Sequence, residues 1–344
     1  MQKSFIILGI SLVFALVSCN KQSRNYVTEN GFAQGSTYHI VYEIPASYPY
    51  PDSLQQSIKD SIKLYFAQID QSVSGYNRQS LLSKFNNGEQ INPDKIFTDV
   101  FNYAVRFHKE TNGAVDVSAA PLFDLWGFGF KEGKEITQKS IDSIKQFIGI
   151  DKVSLQDGLL TKSDIRTSLN FNAIAQGYTV DYFCTKLDSM GIENYLVEIG
   201  GELYCKGVNS AGKPWSVGVD KPSDGNFIPG ENLQAIIQLS GKGLVTSGNY
   251  RKFYVKDGVK YSHTIDPVSG YPVQHSLLSA TVIAENATIA DAYATYFMVI
   301  GLERAKEFLA QTPNMEALLV YGEQDKMKEY ATEGMKKMLK ENNN

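Results

Sequence analysis

Two hydrophobic periods divide the chain. In the first half, apolar residues recur every three or four positions. Leu54, Ile58, Ile62, Phe66 and Ile69 form one stripe of a helix that begins near Ser53. The same period predicts helices over 94–111, stopped by Asn112-Gly113, over about 137–147 with Gly149 just beyond, and over 172–190, ended by Gly191. Residues 35–44, rich in β-branched and aromatic side chains, read as the first strand. Past residue 190 strands dominate, over 195–199, 202–206, 215–219, 234–239, 251–255, 281–285 and 316–321. Asp257-Gly258 is a hairpin signal, and Asn286 caps a helix that runs through Phe297. There is no repeat, and no strand–helix alternation carrying a Gly-x-Gly-x-x-Gly turn. The predicted class is α+β with mainly antiparallel strands.

The N-terminus stands outside this pattern. Lys3 precedes an apolar run over 5–17 that is too short for a lasting membrane span. The run closes in Leu16-Val17-Ser18-Cys19, which resembles a bacterial lipobox. On that reading 1–18 is a leader, Cys19 carries lipid, 19–31 is a polar tether, 32–330 is the folded body and 331–344 is a polar tail. The expected location is the bacterial cell envelope, with the body anchored by acyl chains and facing the periplasm. A plain secretory leader with a chance cysteine is the alternative.

Composition narrows the functions. Of 344 residues, 33 are Lys or Arg and 37 Asp or Glu, giving a net charge of −4. That balance argues against nucleic acid, which calls for a basic footprint. Hydrophobic residues at 43% and charged residues at 20% suit a packed globular body. Cys184 and Cys205 sit in apolar surroundings without Cys-x-x-Cys or Cys/His spacing, so packed thiols are expected ahead of a disulfide or a zinc site.

Four stretches can carry chemistry. Asp291 and Thr295 lie four apart on one helix face beside small alanines. A carboxylate and a hydroxyl are hard oxygen ligands suited to Mg²⁺, although an Asp there equally serves a helix dipole. His263 closes a strand before the Asp266-Pro267 turn, as a general base or as a surface turn residue. Gly200-Gly201 and Thr246-Ser247-Gly248 are turns at which backbone N–H groups can approach phosphate or a flavin. Residues 169–181 run from a strand end into a helix start, a place for an anion or an ordinary cap.

Taken in order, these stretches resemble the ApbE family of flavin transferases. The resemblance is carried by Gly35-Ser36-Thr37-Tyr38, Ser74-Gly75-Tyr76, Ala114-Val115-Asp116, Pro121-Leu122 and Leu125-Trp126-Gly127-Phe128. It continues through Ala173-Ile174-Ala175-Gln176-Gly177-Tyr178 with Asp181, Glu198-Ile199-Gly200-Gly201, Thr246-Ser247-Gly248, Tyr261-Ser262-His263, Asp266-Pro267, Gly270 and Ala290-Asp291-Ala292 with Thr295. It implies two α+β lobes of mainly antiparallel sheet with packed helices, and FAD as substrate in the cleft between them. It implies transfer of FMN from FAD to a threonine of another protein, releasing AMP. Mg²⁺ is implied at Asp291, Thr295 and the main-chain carbonyl of Ala173. FAD contacts are implied at Gln34, Tyr76, Ala114, Val115, Asp116, Asn170, Gln176 and Ile265, and a base at His263 with Asp266 beside it. The family's usual clients are membrane redox complexes.

Three positions depart from the family pattern. Gln176 stands where Lys is common, Asn170 where Asp is frequent and Gln34 where Met is usual. An Asp–Lys pair has thus become a neutral Asn–Gln pair. The rival functions are a metal-dependent FAD pyrophosphatase, a lipid-anchored FAD-binding protein without catalysis and, more remotely, a solute-binding lipoprotein.

Overall fold

The structure is a computed structural model, and it describes residues 24–129, 136–223, 230–249, 253–256, 259–324 and 326–340. The leader, Cys19 and the Asp257-Gly258 hairpin signal lie outside those residues. The chain opens with strands β1 (Asn25–Ala33) and β2 (Ser36–Ile44). Helices α1 (Pro51–Val73), α2 (Leu81–Asn86), α3 (Lys95–Glu110), α4 (Ala120–Leu125) and α5 (Gln138–Lys145) follow. A small hairpin, β3 (Val153–Gln156) and β4 (Leu159–Lys162), precedes α6 (Ala175–Ser189). Then come β5 (Tyr195–Ile199), β6 (Glu202–Lys206), β7 (Trp215–Asp220), β8 (Leu233–Leu239), β9 (Lys242–Gly248), β10 (Phe253–Lys256), β11 (Val259–Ser262) and β12 (Leu277–Ala284). The chain closes with α7 (Ala287–Ile300), α8 (Leu302–Ala310), β13 (Glu316–Glu323), β14 (Lys326–Ala331) and α9 (Glu333–Met338).

Eight strands form one antiparallel sheet in the order β1-β2-β5-β6-β9-β12-β13-β14. Alternate side chains enter different cores. Val197, Ile199 and Val245 face α1, α6 and α7, whereas Leu203, Cys205, Leu244 and Ile283 face the β7–β8 pair and α9. The apolar stripe of α1 does what its spacing predicts. Leu54, Ile58, Ile62, Phe66 and Ile69 are all buried, each worth about 1.5–3 kcal/mol of burial. Asp94 caps α3 by accepting the Phe97 N–H at 2.8 Å, and Asn286 caps α7 by accepting the Ile289 N–H at 2.9 Å.

The sheet also decides the cysteine question. Cys184, on the buried face of α6, packs in the core on one side of the sheet, and Cys205 points to the opposite face. The sheet lies between them, so both remain free thiols.

Several boundaries differ from expectation. The tether predicted over 19–31 is wrong from residue 25 onward, because 25–33 pair with β2 along their whole length. Its polar residues are those of an edge strand with one face in water. The polar tail predicted from 331 is also corrected, since α9 plugs Met335 into the core at 0% exposure. Thr246-Ser247-Gly248 is not a turn after a strand but the last three residues of β9, paired with β12. The pattern passes over α2 and α4, whose six residues are too short to show a period. It also passes over β14, an exposed edge strand with little apolar signal.

The register brings the motifs to one end of the sheet. Pairing of Tyr38 with Ile199, Ile199 with Glu202, Leu203 with Leu244 and Ser279 with Gly248 aligns the start of β2, the end of β5, the start of β6, the end of β9 and the start of β12.

Candidate functional site

The site begins where α6 crosses α7. Gly177 lies at the crossing, where a Cβ would stand 2.5 Å from the Ala287 carbonyl oxygen and 2.8 Å from the Asp291 Cβ. Only glycine lets the two backbones approach this closely. Its N–H, free because α6 has no side-chain cap, donates to Asp291 Oδ2 at 3.0 Å. Asp291 is buried, at 4% exposure, and makes no other hydrogen bond or ion pair among the described residues. Burial pushes its carboxyl up to about 7; the Gly177 N–H opposes that shift, and the nearby Asp181 carboxylate adds to it. Asp291 is in the second turn of α7, so the dipole role is not its own: Asn286 and Asp181 serve the first turn. Thr295 follows one turn later on the same face, and Ala173 lies two residues before α6 begins.

That donor set fits the divalent cation implied by the family. A buried carboxylate with one hydrogen bond and no cationic side chain is costly as an anion, and a bound cation inverts the local preference for protonation. A carboxylate, a hydroxyl and a main-chain carbonyl are few oxygen ligands, which suits a Mg²⁺ that keeps waters and takes phosphate oxygens.

Two predicted FAD contacts, Gln34 and Asn170, flank α6, and a third, Gln176, lies in its first turn. Gln34 and Gly35 form the two-residue β1–β2 turn, both at positive φ (53° and 75°). That is the backbone shape a tight hairpin needs. The Gln34 Nε2 donates to Thr179 Oγ1 on α6 at 3.2 Å. Gln176 reaches the next turn along the sheet end and donates to the Ile199 carbonyl at 3.0 Å. Its amide fills the space a Cβ on Gly200 would occupy, at 1.6 Å. Asn170 ties its stretch to 114–118, because its N–H donates to the Val117 carbonyl at 2.7 Å. Ala114 and Val115 are buried beside it. The Asp116 side chain, 6% exposed, accepts from the Ser118 N–H and hydroxyl at 2.8 and 2.6 Å and faces His108 Nε2 at 3.5 Å. Burial raises its carboxyl, while Ser118 and His108 hold it down.

His263 follows β11 in a loop knitted to the rest of the site. Thr264 donates to Asn249 Oδ1 at 2.7 Å. The Trp126 indole donates to the Gly270 carbonyl at 2.9 Å and stacks on Tyr261. Phe128 meets the His263 ring edge-on at 6.4 Å. Ile265 is buried against Ala119 and Leu122, so packing is its observed role. Asp266 spends its carboxylate on its own turn, accepting the Val268 and Ser269 N–H groups at 2.9 and 3.2 Å. Tyr76 is no core aromatic: it is 78% exposed on the loop after α1.

A groove of about 840 Å³ opens between α1, α3 and α6. Gln71, Asn102, Tyr103, Tyr178, Asp181 and Thr288 help line it, and none of the predicted FAD contacts does. Three contributors carried no separate role in the sequence: Thr179, His108 and Asp181. The signal for Asp181 was its place four residues after Gly177, on the same face of α6.

An eight-stranded antiparallel sheet with a buried helical carboxylate at one end is an α+β arrangement that this chain shares with solved flavin transferases. The flavin transferase ApbE of Vibrio cholerae superposes with a TM-score of 0.79 at 33% identity, covering 92% of this chain and 100% of that one. The apo flavinyl transferase ApbE of Pseudomonas stutzeri gives 0.80 at 29% identity, covering 92% and 97%. The FAD:protein FMN transferase of Haemophilus influenzae is 33% identical over 325 residues, 91% of each chain. The sequence model of the ApbE family matches residues 34–319, and the chain belongs to that family.

Proposed function

We propose that this protein transfers FMN from FAD to a hydroxyl of an acceptor protein, with AMP leaving. The observation that carries the reading is the buried Asp291 carboxylate, held by the Gly177 N–H at the α6–α7 crossing. Relatives named FAD:protein FMN transferase over nine-tenths of the chain support the activity. In this reading Asp291, Thr295 and the Ala173 carbonyl hold Mg²⁺, which offsets the charge of the FAD diphosphate. With a net charge of −4, the protein does not draw a dinucleotide by long-range attraction, so local neutralisation matters more. The turns at Gln34 and Gly200 and the 114–116 segment orient FAD. His263 takes the proton of the acceptor threonine as its oxygen bonds to the flavin-side phosphorus and the P–O bond to AMP breaks. Asp266 steadies the turn that follows His263. The neutral Gln176, in the place of a common lysine, leaves the diphosphate more dependent on the cation.

Cys19 as a lipid attachment site would put the body at the cell envelope, facing the periplasm, with threonine-bearing subunits of membrane redox complexes as acceptors. The test incubates the protein with FAD, Mg²⁺ and a threonine-bearing acceptor. Flavin fluorescence on the denatured acceptor, with AMP released, supports transfer. Free FMN with AMP marks a pyrophosphatase instead, and unchanged FAD marks a binding protein.

A further inference from the structure

α7 carries the candidate metal ligands but does not cap its own N-terminus in full. The first N–H groups of a helix need outside acceptors. Asn286 takes one, from Ile289. The N–H groups of Ala287 and Thr288 instead donate to Asp181, to Oδ1 at 2.9 Å and Oδ2 at 2.8 Å, and the Thr288 hydroxyl donates to the same Oδ2. The carboxylate thus reaches in from the neighbouring helix α6. Burial raises the Asp181 carboxyl, and the three hydrogen bonds oppose that shift. The positive end of α7 adds to them.

Asp181 and Gly177 are one turn apart on α6, as Ala287 and Asp291 are on α7. The two helices are therefore pinned at two points: Asp181 on the first turn of α7, and Gly177 on Asp291. The close approach at Gly177 leaves the interface no slack. If the Asp181 clamp is lost, only the Gly177 contact of the two pins remains, and any shift of the first turn of α7 carries the Asp291 carboxylate with it.

We propose that Asp181 is a positioning residue of the metal site, locking the register of α7 against α6 so that Asp291 and Thr295 are presented together. This rests on the reading of Asp291 and Thr295 as Mg²⁺ ligands. Groups that orient metal ligands without touching the metal typically change affinity by about 10–100-fold.

The test titrates Mg²⁺ alone into the metal-stripped full chain and follows its unfolding temperature. The transfer rate is measured separately against Mg²⁺. Asp181→Asn keeps the shape, removes the charge and turns one of the two accepting oxygens into a donor. It is expected to raise the half-saturating Mg²⁺ concentration by roughly tenfold or more, with turnover at saturating Mg²⁺ close to that of the unaltered chain. Thr288→Val removes one hydrogen bond of the clamp and is expected to weaken Mg²⁺ by roughly two- to fivefold, which keeps the test open if Asp181→Asn folds poorly. Asp181→Asn with unchanged half-saturation overturns the proposal, whether or not its unfolding temperature falls, and leaves the Mg²⁺ reading standing. An unaltered chain that shows no response to Mg²⁺ overturns both.

Discussion

Gly177→Ala separates the cost of crowding a helix crossing from the cost of misplacing a ligand. The added Cβ would stand 2.5 Å from the Ala287 oxygen and 2.8 Å from the Asp291 Cβ, where ordinary contact is 3.4–4 Å. The obstacles are the backbone and a first side-chain carbon of the same helix, so α7 must retreat by about 1 Å. Overpacking of this kind costs about 1–3 kcal/mol. Alanine recovers up to about 1 kcal/mol over glycine inside a helix. The net loss is therefore about 0–3 kcal/mol, which lowers Tm by no more than roughly 10 °C. The effect on chemistry is larger, because a shift of 1 Å in a catalytic group can cost about 100-fold. The retreat also lengthens the Gly177–Asp291 hydrogen bond. Thermal unfolding and transfer kinetics, read together, should show a folded protein with turnover down by about two orders of magnitude. Gly191→Ala is the control: its φ is +77° with nothing within 4 Å, so it should cost about 1–2 kcal/mol and leave turnover unchanged. A Gly177→Ala protein with unaltered turnover and Mg²⁺ dependence would refute the reasoning.

Other outcomes follow from the same geometry. Burial raises the Asp291 carboxyl above its unfolded value, so the native state holds its proton more tightly and the metal-free protein loses stability as pH rises from the ordinary carboxylate range through about 7. Urea unfolding in chelator at pH 5 and pH 8 should show that loss, and Asp291→Asn should reduce it while abolishing transfer. His263→Ala should lower turnover by about 10²–10⁴-fold with FAD binding kept, read by single-turnover kinetics and flavin titration; unchanged turnover removes the base assignment. Gln176→Lys restores a cation beside the Gly200 turn and should lower the KM for FAD, and an unchanged KM would mean that the side chain does not face the diphosphate.

Local chemistry wrote much of this protein directly into its sequence. The apolar stripe of α1, the start of α3 at Asp94, the cap Asn286, the stop at Gly191 and the strands β5 and β6 all depend on neighbours a few residues away, and the pattern marks them within one or a few residues. The motif order was legible for the same reason, and it led to the family. The tertiary structure alone decided which motifs meet. That Gly177 donates to Asp291 across 114 residues, that Asp181 caps a helix 106 residues away, and that the sheet parts Cys184 from Cys205 are consequences of packing. So is the membership of residues 25–33 and of Met335 in the fold. Spacing along the chain reports the face on which a side chain sits, whereas its partner is set by sheet register and helix crossing, which depend on the whole core closing at once.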